Sequence, residues 1–312
     1  MKILITGGAG FIGSHLVDSY INLGCDVVIV DNLYTGKLTS IHPKAKFYLL
    51  DYLSDEMKKV FENEKPDIVN HHAAQKSVPN SVNNPVLDAE INIVGIIRLL
   101  DLCIKYNVKR FIFSSTGGAL YGDTTVIPTS EKEPISLNSP YAISKYTSEK
   151  YIQYYSTMYG LNYMILRYAN VYGPRQSSEG ECGVLPIFIK NLLNELPSYI
   201  YSDSSMPYGT TRDYVYVKDV CIANVLSLNK GQNEILNIGC GQEVYTEQLY
   251  QMLLKLSGKH LPLINKGSRV GDVRRSSLDC SRAEKILGWK AQTNINNGVS
   301  LTFQYYKEVE SV

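Results

Sequence analysis

Tyr141 and Lys145 stand four residues apart in SPYAISKYTSEKYI, a spacing that puts both on one face of a helix. A free phenol has a pKa near ~10 and is a poor base at neutral pH. An ammonium held beside it favours the phenolate, so the pair is a candidate general acid and base. The spacing alone is a weak signal, because YxxxK recurs at Tyr146/Lys150 and Tyr214/Lys218 in a chain with 24 tyrosines. The setting separates them. Pro140 opens the helix of the first pair, and the hydroxyl cluster of FSSTGGALYG (113–122) ends a strand 25 residues upstream of Tyr141. Tyr146 lies about 140° around the helix from Tyr141, and Tyr214/Lys218 falls in a run that reads as a strand. The hydroxyl cluster could by itself be a phosphate cradle, a nucleophile turn or a plain loop.

A second constellation opens the chain. TGGAGFIG sets Gly7, Gly10 and Gly13 in GxxGxxG spacing, with Phe11 and Ile12 between the last two. It lies between the β-rich run KILIT and an amphipathic helical stretch that Gly24 closes. There, backbone can approach a pyrophosphate and the helix N-terminus favours its negative charge. Asp31 ends the next strand, DVVIVD, 18 residues after Gly13. That is close to the separation of about 20 expected for an acid that binds the adenine ribose. The pattern predicts dinucleotide binding. A carboxylate at this place would repel a 2′-phosphate, which favours NAD over NADP. Asp51, followed by Tyr52, closes the third strand KFYLLD; it is a candidate for the adenine and equally a strand-end cap. Adjacent His71 and His72 point to opposite faces of a strand and have no evident third partner, so no metal site is expected.

Strands and helices alternate to carry these residues. Strands are read at 2–6, 26–31, 46–51, 67–74, 110–115 and 162–173, and helices at 54–64, around 91–106 and at 141–159. Short apolar strands alternating with helices indicate an α/β, Rossmann-like, doubly wound parallel sheet. Residues 1–168 form this dinucleotide-binding part. Residues 169–312, broken up by prolines, form mainly a smaller α/β lobe, with part of 211–240 returning to the first sheet. GTTRDYVYVKDV and EILNIG read as strands there, and TEQLYQMLLKLSG and SRAEKILGW as helices. The 312 residues are 44% hydrophobic and 20% charged, with a net charge of +1. This balance gives no case for nucleic acid or a membrane surface as partner. No apolar run is long enough for a membrane span. The start MKILITGG lacks a signal-peptide pattern, and the six scattered cysteines read as buried thiols of a reducing, cytoplasmic setting.

TGGAGFIG, DNLYTG, the stretch with His71, Ala73 and Ala74, SSTGGALYG, YAISK, LRYANVYGPRQ, RDYVYVKDV and RVGD…LGW follow one another in a recognisable order. The chain resembles the extended short-chain dehydrogenases, and among them the NAD-dependent nucleotide-sugar epimerases that act on UDP-hexoses. The resemblance covers almost the whole chain. It implies that the hydroxyl of Thr116 bonds O4 of the sugar, that Tyr141 is the acid and base, and that Lys145 tunes Tyr141 and holds the nicotinamide ribose. It places Ala73, Ala74, Lys76 and Asn92 along the cofactor and Asn32 near the adenine ribose. Asn170, Arg212 and Arg269 would hold the UDP part, Asp272 would be a substrate-side acid, and the partner would be a second copy in a homodimer. In the implied reaction Tyr141 takes the O4 proton while hydride leaves C4 for NAD. The 4-keto sugar then swings about its pyrophosphate, and hydride returns to the opposite face.

Related enzymes run other chemistry after the same oxidation. The 4,6-dehydratases carry an Asp-Glu pair directly after the Thr, where this chain has Gly117 and Gly118, and UDP-glucuronate decarboxylases place a Glu in the turn. The glycines therefore favour 4-epimerisation over both. A non-catalytic NAD sensor on the same fold is disfavoured because Thr, Tyr and Lys are all present. The small Ser276, with Ser277 beside it, aligns with the position that gates an N-acetyl group, which predicts acceptance of UDP-GlcNAc as well as UDP-glucose.

Overall fold

The structure is a computed structural model that describes residues 1–178, 183–267 and 273–310. Seven strands form its centre: β1 (Lys2–Thr6), β2 (Asp26–Asp31), β3 (Lys46–Leu49), β4 (Ile68–His71), β5 (Arg110–Thr116), β6 (Asn162–Tyr168) and β7 (Glu234–Ile238). They pair in the order β7-β6-β5-β4-β1-β2-β3, all parallel. This is the doubly wound sheet that the sequence predicts. The chain leaves β1 toward β2 and β3, then returns to β4 on the other side. That reversal opens a crevice beyond the carboxyl ends of β1 and β4, where ligands bind in such sheets.

Alternate residues of one strand feed two cores. Ile3, Ile5 and Ile29 pack with Leu16, Val17, Val220 and Trp289, whereas Leu4, Val28 and Val30 pack with Phe61, Leu99, Leu100 and Ile152. With both faces covered, the strands read as unbroken apolar runs. A third core of Tyr172, Phe188, Tyr250 and Val299 belongs to the segments after Ala169. β7 comes from this half of the chain and joins the edge of β6.

Three readings of the sequence change. GTTRDYVYVKDV is not one strand: Thr211–Arg212 and Tyr214–Tyr216 are short strands, and Val217–Leu226 is a helix. That helix packs on the Phe11–Asn22 helix, so Lys218 leaves the strand that carries Tyr214. The stretch 162–173 breaks at Ala169 into β6 and Asn170–Tyr172, which pairs with Tyr214–Tyr216. The helix expected at 91–106 begins earlier, as Pro85–Ala89, runs through a π turn at Glu90–Val94, and continues as Gly95–Lys105. The Asn92 carbonyl in the π turn accepts Ser148 Oγ at 2.7 Å. π turns of this kind concentrate at functional sites.

The five described cysteines are free thiols, but only Cys103 and Cys221 are buried as expected; Cys25, Cys240 and Cys280 are half-buried, and Cys182 lies outside the described residues. No helix among the described residues is long and apolar enough to cross a membrane. Burial lowers the pKa of three histidines: His15 falls to about 4 and His72 to about 3, from 6.5, and His71 is held well below its usual value. The unfolded chain binds these protons below pH 6.5, while the folded chain resists them down to those lower values. Stability therefore rises with pH across this window and is lost as pH falls through it. For His15 the loss is on the order of 3 kcal/mol. Melting temperature should fall between pH 6.5 and 4, and His15→Gln, which keeps a donor for the Pro174 carbonyl, should flatten that slope. An identical slope in the variant would refute it.

Candidate active site

The glycine turn is built by close approach. Gly7 has φ +73°, and a Cβ there would meet Ala73 N at 2.7 Å, so the turn lies directly against the chain leaving β4. A Cβ on Gly13 would stand 2.1 Å from Gly7 O. Gly10 caps the Phe11–Asn22 helix, and a Cβ there meets only Gly7 O, at 3.2 Å, with open space otherwise. Phe11 and Ile12, half-buried, begin the helix. At the end of β2 the buried Asp31 accepts the N–H groups of Ala9 (3.0 Å) and Leu33 (2.8 Å), which ties it to the turn. Exposed Asn32 donates to the Asp51 carboxylate at 2.8 Å, and Asp51 also accepts Leu53 N–H. The Tyr52 ring turns into the core, edge-on to His71, and its hydroxyl donates to the Ile91 carbonyl. Lys76 is exposed, and Ala73 and Ala74 are half-buried.

Thr116 ends β5 and caps a short helix, Gly117–Leu120, accepting Ala119 N–H on its hydroxyl oxygen at 3.3 Å. Its O–H stays available to donate. Behind it, the helix Pro140–Tyr159 is started by the Ser139 cap and by Pro140, and stopped by Gly160 at φ +73°. This helix packs on β5. Tyr141, half-buried on its first turn, donates its N–H to Ser81 Oγ at 3.1 Å. Lys145 is buried with its Nζ 4.1 Å from the centre of the Phe113 ring. Burial lowers its pKa to about 7, against the upward pull of Glu149 and Asp88. On the other wall, Asn170 lies beside Gly118, and Arg212 donates to the Thr211 carbonyl at 2.7 Å. Ser276 and Ser277 are buried, and Thr129 N–H donates to the Ser277 carbonyl at 2.8 Å. Arg269 and Asp272 lie outside the described residues.

The sequence model of the NAD dependent epimerase/dehydratase family matches residues 3–239. The chain belongs to this family. It is 43% identical over 305 residues to a putative UDP-glucose 4-epimerase of Methanocaldococcus jannaschii, a match covering 98% of each chain. Its fold matches the UDP-glucose 4-epimerase of Thermotoga maritima, solved with UDP-glucose, at TM-score 0.96 and 45% identity, over 99% of this chain and 100% of that one. It also matches a UDP-N-acetylglucosamine 4-epimerase from Methanobrevibacter ruminantium, solved with UDP-N-acetylmuramic acid. There the TM-score is 0.92 and the identity 32%, over 99% and 98% of the two chains.

As a member of the NAD dependent epimerase/dehydratase family the protein uses NAD, and its residues fit that cofactor. The cradle at Gly10 is open where a side chain would fill it, and Asp31 sits at the end of β2. Two buried polar residues brace the site. Asn92 was expected along the cofactor; its amide accepts Gln75 N–H and donates to the Gln75 carbonyl, Asp88 and Ser144. It braces the chain after β4 against the Tyr141 helix. Asp213 is buried and accepts the N–H groups of Cys240, Gly241 and Leu278, which fastens the strand of Arg212 to the segment after Ser276. Burial lifts its pKa to about 6. In the sequence Asp213 is only the residue after a candidate arginine. Its three partners lie 27 or more positions away.

Proposed function

We propose that the protein inverts C4 of a UDP-hexose, interconverting UDP-glucose with UDP-galactose and accepting UDP-GlcNAc as well. The observation that carries this reading is the turn after Thr116. A Cβ on Gly117 would stand 2.5 Å from the tip of the buried Leu278 side chain, which would have to shift, and glycine itself offers no acid or base there. Gly118 has room, with Asn170 Oδ1 3.6 Å from its would-be Cβ, yet offers no acid or base. Thr116 and Tyr141 are left as the proton-handling groups, and with them the sugar can be oxidised and reduced without losing water or carbon dioxide.

Tyr141 as phenolate takes the O4 proton and later gives it back; Thr116 donates to O4 and fixes its direction. Lys145, cationic beside the phenol, favours the phenolate and holds the nicotinamide ribose. NAD, when bound, supplies the hydride acceptor and donor at C4. Residues 1–168 hold the cofactor through Gly7, Gly10, Gly13, Asp31 and the Ala73–Lys76 chain, with Asp51 toward the adenine. The lobe 169–312 holds the UDP part through Asn170, Arg212 and Arg269, with Asp272 on the sugar side. The small Ser276 leaves room for an N-acetyl group. The active form is a homodimer through Ile143, Tyr151, Tyr154 and Met158, which are exposed at 8-, 3- and 4-residue intervals along one helix face.

The test is incubation of the pure protein with UDP-glucose, UDP-GlcNAc and UDP-glucuronate, followed by NMR of the sugars, together with a solution mass. Expected are UDP-galactose and UDP-GalNAc from the first two, unchanged glucuronate, and a mass of two chains. A 4-keto-6-deoxy sugar or a pentose as main product would overturn the reaction. Brisk turnover of UDP-glucose with none of UDP-GlcNAc would overturn the role of Ser276.

A further inference from the structure

We propose that Glu149 is the positioning residue that fixes Thr116 and the Tyr141–Lys145 pair relative to each other from behind the site. Glu149 lies one turn beyond Lys145 on the same helix and is fully buried. Its Oε1 accepts both Ser115 Oγ (2.5 Å) and Arg167 Nε (2.9 Å), and its Oε2 accepts the second Arg167 nitrogen at 2.6 Å. Ser115 and Arg167 are register partners on β5 and β6. One carboxylate thus straddles two strands, at the position just before Thr116. The remaining Arg167 amino group donates to Tyr121 OH (2.8 Å), which donates to Asn237 Oδ1 on β7 at 3.0 Å. The network therefore runs from the helix that carries Tyr141 and Lys145 across three strands of the sheet.

Stability alone does not account for such a pair. Taking two charges out of water costs several kcal/mol per ion, and well-packed apolar residues in their place are often no less stable. A greasy contact would hold the helix on the sheet but let it slide. The forked Arg–carboxylate bond is directional and fixes the helix along the strand axis. A misplacement of ~1 Å costs catalysis about 100-fold, so this register matters for a proton passed between Tyr141 and an O4 held by Thr116.

The proposal rests on the 4-epimerase reading only for its kinetic arm. Ser115→Ala cuts the strand arm and leaves the ion pair. It should lower kcat about 10-fold with KM and NAD content unchanged, and lower the melting temperature by a few degrees, because one bond to a buried carboxylate is lost. The paired change Glu149→Leu with Arg167→Met should melt near the wild type, whereas Glu149→Gln alone, which strands the arginine, should melt well below it. The paired variant should nonetheless lose about 100-fold in kcat. Independently of turnover, amide hydrogen exchange at 116–119 and 141–145 should rise in Ser115→Ala. Wild-type kcat in a paired variant that melts normally would show a structural role only and overturn the proposal. Unaltered exchange in Ser115→Ala would overturn it even if the wild type turned over no UDP-sugar. Wild-type inactivity with raised exchange would instead count against the reaction and not against Glu149.

Discussion

Tyr141→Phe is expected to lower kcat by about 10³-fold, with fold and NAD content unchanged, because general acid–base catalysis contributes 10²–10⁴-fold. The substitution removes one hydroxyl and keeps the ring. Two contacts of Tyr141 at the helix start are made by its main chain: its N–H donates to Ser81 Oγ, and its carbonyl accepts Ser144 Oγ at 3.0 Å. Both survive in Phe. Tyr146→Phe is the matched control. Its ring lies under Lys150 at 4.8 Å on another face of the helix, so kcat should not move. Full activity of Tyr141→Phe would sink the catalytic assignment, and an equal loss in both variants would point to the helix and not to the phenol.

Those two tyrosines mark what a sequence can and cannot tell. Tyr141 was separable from Tyr146 because local signals coincide: a Ser-Pro helix start, the i,i+4 lysine and a strand end upstream. The parallel sheet was legible for a similar reason, since strands covered on both faces must be apolar throughout. Elements whose role is set by distant partners were not. Glu149 looks like any polar helix residue until Arg167, 18 positions on, folds beneath it. Val217–Val220 read as strand because they follow Tyr214–Tyr216 without a breaker; packing of the Val217–Leu226 helix on the Phe11–Asn22 helix decides it. Asn92 was visible only as a resemblance, because its partners come from a turn, a helix before it and a helix after it.

Gly13→Ala and Gly10→Ala should fail in different ways, and the difference tests the cofactor cradle. At Gly13 the new methyl would lie 2.1 Å from Gly7 O and 2.9 Å from Gly7 C and Gly8 Cα, all backbone. Gly7 has little room to yield, since it holds φ +73° where even a Cβ would meet Ala73 N at 2.7 Å, and its carbonyl already accepts Gly10 N–H at 3.1 Å. The turn has to open. Overpacking costs typically 1–3 kcal/mol, and a clash between two stretches of backbone belongs at the top of that range. Gly13→Ala should therefore melt several degrees lower and lose NAD. Gly10 is the contrary case: its backbone is extended, at φ −79°, and its methyl would meet only Gly7 O at 3.2 Å before open space. Gly10→Ala should melt with the wild type yet bind NAD about tenfold more weakly, ~1.4 kcal/mol, because the methyl would stand in the proposed path of the pyrophosphate. Calorimetric binding of NAD alongside thermal melts separates the two effects. If Gly10→Ala bound NAD as tightly as the wild type, the dinucleotide would not lie over this turn, and the glycines would be there for the strand–helix junction alone.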